Sequence, residues 1–357
     1  MNHENKIAIS LRPLWLTMAL CVVMLAGAVD LVWGTRLIGM TAFMAGAGIL
    51  SVILLTCETY ISVLDSLVLL ILLYFAGGMR LWVPAVGAVS IICALVISRL
   101  IKKKTTKSAA VVTITIVLLV CFLIIAAVFY ALEGHSLAFS DILKDINQFF
   151  DKMRGETGEW ADEQIASLSQ NILQWCESLG ISKDMLRESY ITQAKALIDT
   201  IQLTLPGLLL IGLQIFAYLA VCFFVLTVKS ASYDALLPEV KWVLYPTQVT
   251  CIVFLAAIFF YMIAMFFPST VFAILVVNLL LVLSPSMIAC GVRGLSVRLR
   301  HPMLRKRTIV ILVLFVFFAL FMTSTALQLA IILLSILGAK DVFSLRMAES
   351  EMRKKKK

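Results

Sequence analysis

The chain has 357 residues, of which 62% are hydrophobic and only 14% charged. Soluble globular domains are about half apolar and a quarter charged, so this composition excludes that class and points to a bilayer. Lys and Arg exceed Asp and Glu by 30 to 21, but the basic residues flank apolar runs and do not line one soluble face, which excludes a nucleic-acid-binding protein.

An apolar run of about 18 or more residues has one stable home, the hydrocarbon core, where a helix satisfies its own backbone. The first such run, 14–34, follows a polar stretch with Lys6 and Arg12. Ala26-Gly27-Ala28 also fits a signal-peptide cleavage site that would remove residues 1–28, although the run continues through Trp33, which favours a retained span. Asp30, one turn from Trp33, is expected to snorkel to the interface. The second predicted span, 37–56, is rich in small residues, and Ala42 and Gly46 four apart make a face for close helix packing. Lining a permeation path is the alternative. Spans three, four and five are predicted over 60–78, 82–101 and 109–132. Arg99, Lys102, Lys103, Lys104 and Lys107 cluster between the last two.

Residues 133–204 differ in kind, with twelve acidic residues against six basic. Ile142, Ile146, Phe149 and Met153 recur at helical spacing, as do Ile165, Leu168, Ile172, Trp175 and Leu179. A third amphipathic helix is expected to start at Ser182 as N-cap and to run straight into span six at Leu205. Some seventy residues bury little core alone, so these helices should pack on one another and on the membrane surface.

Span six is predicted over 205–228, span seven over 247–267 and span eight over 270–291. A basic loop follows, carrying Arg298, Arg300, Arg305, Lys306 and Arg307. The last apolar run, 308–338, has 31 residues interrupted only by Met322-Thr323-Ser324-Thr325. It is too long for one comfortable span, so we expect two arms breaking near Ser324. The expected fold is therefore all-α, a polytopic transmembrane bundle of about ten spans with an exterior amphipathic-helix insertion between spans five and six. Its parts are a five-span region (1–132), the exterior acidic insertion (133–204), a second region of about five spans (205–338) and a basic tail (339–357).

With the N-terminus inside, 22 of the 30 Lys and Arg fall on interior segments. Only Arg36 and Arg80 fall on short exterior loops. The basic-inside rule thus places both termini in the cytoplasm. Cys176, the one cysteine in the acidic insertion, should then be the one reached by an impermeant thiol reagent from outside. Most of the other seven lie in apolar runs, and there is no CxxC or Cys/His cluster to support zinc or redox chemistry.

Several features of the second half recur together: the amphipathic helix entering Leu205-Pro206, the run LQIFAYLAVCFF, a linker with Trp242 and Pro246, the stretch VVNLLLVLSP, and a closing Gly338…Asp341-Val342-Phe343…Arg346. On these, residues 186–346 resemble the YybS-like family of bacterial predicted membrane proteins. The linker departs from that pattern, with three residues between Trp242 and Pro246 where the family has a tighter Trp-x-Leu-Pro. The resemblance implies an integral protein of the bacterial cytoplasmic membrane. It also implies a distant similarity to the substrate-binding subunits of energy-coupling-factor vitamin transporters.

No phosphate-binding glycine loop, HExxH, nucleophile elbow or catalytic carboxylate pair occurs, and His3, His135 and His301 sit in separate polar segments. No enzyme activity, metal or cofactor is expected. Polar residues inside apolar runs are the better lead, since a mid-bilayer carboxylate costs roughly 2.5–3.5 kcal/mol. Glu58, Ser62 and Asp65 share one face of span three. Gln214 lies in span six, and span eight holds Asn278 and, between two serines, Pro285. Together they form the candidate polar membrane site; polar helix ends, interhelical hydrogen bonds and an ordinary proline kink are the structural alternatives. Arg99, Lys102, Lys103, Lys104, Arg298, Arg300, Arg305, Lys306 and Arg307 are candidate contacts for anionic lipid. The expected function is small-molecule transport or substrate capture without an ATPase of its own. The rival is a non-transporting scaffold or sensor whose exterior helices bind a partner. The two differ in whether Asp65, Gln214 and Asn278 converge on one cavity.

Overall fold

A computed structural model describes residues 3–57, 59–103, 105, 107–233, 248–266, 270–300, 305–306, 308–310, 313 and 332–342. The regular structure among them is helical: α1 (His3–Trp33), α2 (Leu37–Thr56), α3 (Thr59–Ala76), α4 (Trp82–Lys102), α5 (Lys107–Leu132), α6 (Phe139–Gly155), α7 (Thr157–Ser167), α8 (Gln170–Ser178), α9 (Lys183–Ser230), α10 (Gln248–Phe266) and α11 (Thr270–Arg300). Residues 332–342 are also helical. Among the described residues, six helices contain stretches long and apolar enough to cross a membrane: Leu14–Trp33, Leu37–Thr56, Trp82–Lys102, Lys107–Leu132, Lys183–Ser230 and Val271–Arg300. Shorter apolar helices cover Ser62–Ala76 and Val249–Ala264. The chain is an all-α, multi-pass membrane protein. The expected helix break near Ser324 lies outside the described residues.

The centre of the bundle is α2, which packs on α1, α4 and α9. Its small residues are what allow this. A Cβ on Gly48 would stand 2.6 Å from the backbone nitrogen of Phe224, so α2 and α9 touch backbone to backbone there. Gly46 faces Met24 of α1. The packing role expected for this face is the one its contacts show. Phe43, Leu50, Ile53, Ile97, Ile114 and Phe224 fill the surrounding core. A second, smaller cluster joins α10 and α11 to 332–342 through Phe254, Met287 and Val342.

Helix α9 is 48 residues long, about 72 Å at 1.5 Å per residue. As expected, it starts at Ser182, whose side chain accepts the N–H of Met185 at 3.2 Å, and it continues past Leu205 without interruption. Its first half carries α6 and α7, and its second half packs in the bundle against α2, α5 and α11. Two expectations are corrected. The second amphipathic helix is two, α7 and α8, because Leu168 and Ser169 are extended (ψ 137° and 149°). Serine and asparagine side chains in Ser167-Leu168-Ser169-Gln170-Asn171 offer the backbone alternatives to the helical ladder. Cys176 is buried at 8% exposure, facing inward from α8, so it is not the ready external thiol its position suggested.

Candidate functional site

Proline within a helix lacks the N–H that would bond four residues back, and its ring crowds that carbonyl. Pro206 stands in this position inside α9. One residue on, the Gly207 N–H donates to Asn278 Oδ1 of α11 at 2.6 Å. The Asn278 Nδ2 donates to the Leu203 carbonyl at 2.9 Å and to its own helix at Ile274 O at 2.8 Å. The carboxamide therefore bridges one turn of α9, from the Gly207 N–H to the Leu203 carbonyl, with donor and acceptor both matched. Gly207 is required for this approach: a Cβ there would lie 2.7 Å from Asn278 Oδ1 and 3.2 Å from Leu281 Cβ. The joint links α9 to the packing unit of α10 and α11.

Just before the joint, α6 grips α9. The Arg154 guanidinium donates to Asp199 Oδ1 at 2.9 Å, to Asp151 Oδ1 at 2.6 Å, and to Gln202 Oε1. The Gln202 Nε2 in turn donates to Asn147 at 3.0 Å. From Gln202 to Gly207 is five residues, about 7.5 Å of helix. Further from the bundle, Arg187 of α9 makes a forked pair with Asp162 of α7 at 2.6 and 3.0 Å. That pairing holds the Asp162 carboxyl below its usual range and raises the Arg187 guanidinium. The Trp160 and Tyr190 rings meet edge to face, centroids 6.0 Å apart, beside it.

The other predicted polar residues are held in other places. Asp65 accepts from Thr17 Oγ1 of α1 at 3.3 Å, and Ser62 is buried one turn earlier. Glu58 lies outside the described residues. Gln214 sits half-buried on α9, seven residues beyond Gly207. Pro285 leaves α11 continuous, because the Ser284 hydroxyl donates at 3.0 Å to Leu281 O, the carbonyl that proline leaves without its ladder donor. Asp30 does not snorkel: its carboxylate accepts the N–H of Gly39 at 2.7 Å and of Thr35 at 3.2 Å, capping the start of α2. Asp65 and Asn278 are thus tied into different helix pairs, α1 with α3 and α9 with α11. Among the described residues no group of three or more His, Cys, Asp or Glu gathers to hold a metal.

Of the basic positions, Arg99 and Lys102 occupy the last turn of α4, and Arg298 and Arg300 that of α11. Lys103, Arg305 and Lys306 are exposed, whereas Lys104 and Arg307 lie outside the described residues. Arg298 is committed to Asp341, to which it donates at 2.8 Å. What the sequence reading missed is the partner of Asn278. The signal was present in Pro206-Gly207, a helix-breaking pair in a run that had to stay helical. Compared with protein families, characterised proteins and solved structures, the chain matches none. The resemblance to the YybS-like family therefore rests on the residues quoted for it.

Proposed function

We propose that this protein is a non-transporting membrane scaffold of the sensor type. The acidic segment meets a partner outside, and α9 passes its position to α11 through the Asn278 joint. The observation that carries this reading is the paired hydrogen bonding of Asn278 to Gly207 and Leu203 of α9, one to two turns from the Arg154 grip. Asp65 and Asn278, held in separate helix pairs, support it over transport through one shared polar site. In this reading ten spans place the acidic segment outside and both termini in the cytoplasm of a bacterial cell. The basic ends of α4 and α11 rest on anionic lipid, each exposed charge contributing about 1 kcal/mol. The partner surface is Ile172 and Trp175 on α8 with Leu179 just after it, all exposed in a segment with twelve acidic residues against six basic, which suits a protein with apolar and basic residues together.

Hydrogen exchange in lipid nanodiscs tests the coupling. Releasing the grip with Arg154→Ala and Asn147→Ala is expected to speed amide exchange at 203–207 and in α11 around Asn278. Arg187→Ala, which opens the distant pair, should leave α11 unchanged. If exchange in α11 ignores the Arg154 variant, no signal passes through the joint and the reading fails.

A further inference from the structure

We infer that α6 is an interfacial helix whose apolar face lies in the outer-leaflet lipid beside α5 and α9. At about 100° per residue its apolar side chains, Phe139, Ile142, Leu143, Ile146, Phe149, Phe150 and Met153, all fall within an arc of about 120°. The opposite arc holds Asp141, Lys144, Gln148, Asp151 and Lys152. Phe150, in the half of the apolar arc nearer Asn147 and Arg154, is buried at 4% exposure, whereas Phe139, Leu143, Ile146 and Phe149 are exposed at 75, 42, 37 and 61%. An apolar face this open needs an occupant.

The two flanks of the helix say which one. On one flank, Asp145 accepts from the Tyr130 hydroxyl at 2.5 Å, and His135, stacked on the Tyr130 ring with centroids 4.7 Å apart, lies 3.6 Å from the same carboxylate. Tyr130 is in the last turn of α5, two residues before that apolar helix ends at Leu132. On the other flank, Asn147 and Arg154 hold Gln202 and Asp199 of α9, directly before its apolar run from Leu203. Both flanks are therefore tied to membrane-crossing helices at the level where these leave the hydrocarbon. Between the two ties run an apolar arc and a charged arc. Only one orientation keeps the charges in water, and it turns the apolar arc toward the lipid. That arc then continues the lipid-facing surface of α5, on which Ile124, Val128 and Leu132 are exposed. Tyr130 sits at the headgroup level, the usual place for an amphipathic ring.

This inference is independent of the partner proposed at α8, and its test reads a different helix. Photoreactive p-benzoylphenylalanine is placed singly at Phe139, Leu143 or Phe149, and for comparison at Lys144 or Gln148. All five positions are exposed, so the fold tolerates the change. The full-length protein is illuminated in nanodiscs of phosphatidylcholine and phosphatidylglycerol bearing an alkyne-tagged acyl chain. Lipid adducts several-fold more abundant from the first three positions than from the last two are expected. Equal adducts from both sets, adducts from neither, or crosslinks from the apolar positions to a second polypeptide would each overturn the assignment.

Discussion

Pro206 leaves the Gln202 carbonyl without its ladder donor, and in the same turn Asn278 accepts from the Gly207 N–H and donates to the Leu203 carbonyl. Asn278→Leu deletes two interhelical hydrogen bonds, a loss of about 1–2 kcal/mol for polar contacts between helices in membranes. Leucine at 206 restores an N–H for the Gln202 carbonyl and removes the ring that crowds it. If the proline is what opens this turn to Asn278, the same Asn278→Leu change in the Pro206→Leu background should cost less than about 0.5 kcal/mol, a non-additivity diagnostic of direct coupling. Unfolding by SDS titration in mixed micelles measures both arms of the cycle. Equal costs in the two backgrounds would mean that Asn278 does not serve the proline.

Among elements, α2 shows how close packing in lipid depends on side chains that are missing. In an isolated helix Gly→Ala gains about 1 kcal/mol. At Gly48 the added Cβ meets the backbone of Phe224 at 2.6 Å and that of Phe223 at 2.8 Å, atoms that cannot swing aside. Overpacking of this kind typically costs about 1–3 kcal/mol and outweighs the propensity gain. We expect Gly48→Ala to be destabilising, whereas Gly212→Ala, in α9 with nothing within 4 Å of its Cβ, should be neutral or stabilising. Matched losses at both positions would remove the α2–α9 approach as the cause. Much at this scale was legible in the sequence. Hydropathy placed α2 to the residue and α4, α5 and α10 within a few residues, because each is a long apolar run with polar ends. The continuity of α9 was legible from the Ser182 cap and the unbroken periodicity. The split between α7 and α8, the inward turn of Cys176 and the capping role of Asp30 were not, since each depends on which neighbour a side chain meets. The candidate polar site shares that limit: spacing showed that Asn278 and Asp65 are costly in a span but not that each already has its own partner.

At the scale of the whole molecule, the C-terminal arm follows from where its described ends lie. Arg305 and Ile309 line a groove of about 500 Å³ with Val292, Leu295, Leu299 and Arg300, along the last turns of α11. Asp341 pairs with Arg298 on the same stretch, and Gly338 meets Gly291 backbone to backbone. From Val292 to Arg300 is about 12 Å of helix, whereas one straight helix from 309 to 341 would reach about 48 Å. Residues 309 and 341 both lie beside that stretch of α11, about 12 Å long, so the C-terminus is expected on the same side as Arg300. Two arms also keep Lys354–Lys357 on the side of Arg300, Arg305 and Lys306, in agreement with the basic-inside bias. A C-terminal epitope tag should then resist protease added to intact cells and be cut once the membrane is permeabilised. A second tag in the 234–246 linker, which the same threading places inside, separates this from a general inversion. Cleavage of the C-terminal tag in intact cells while the linker tag stays protected would show that the last arm crosses once.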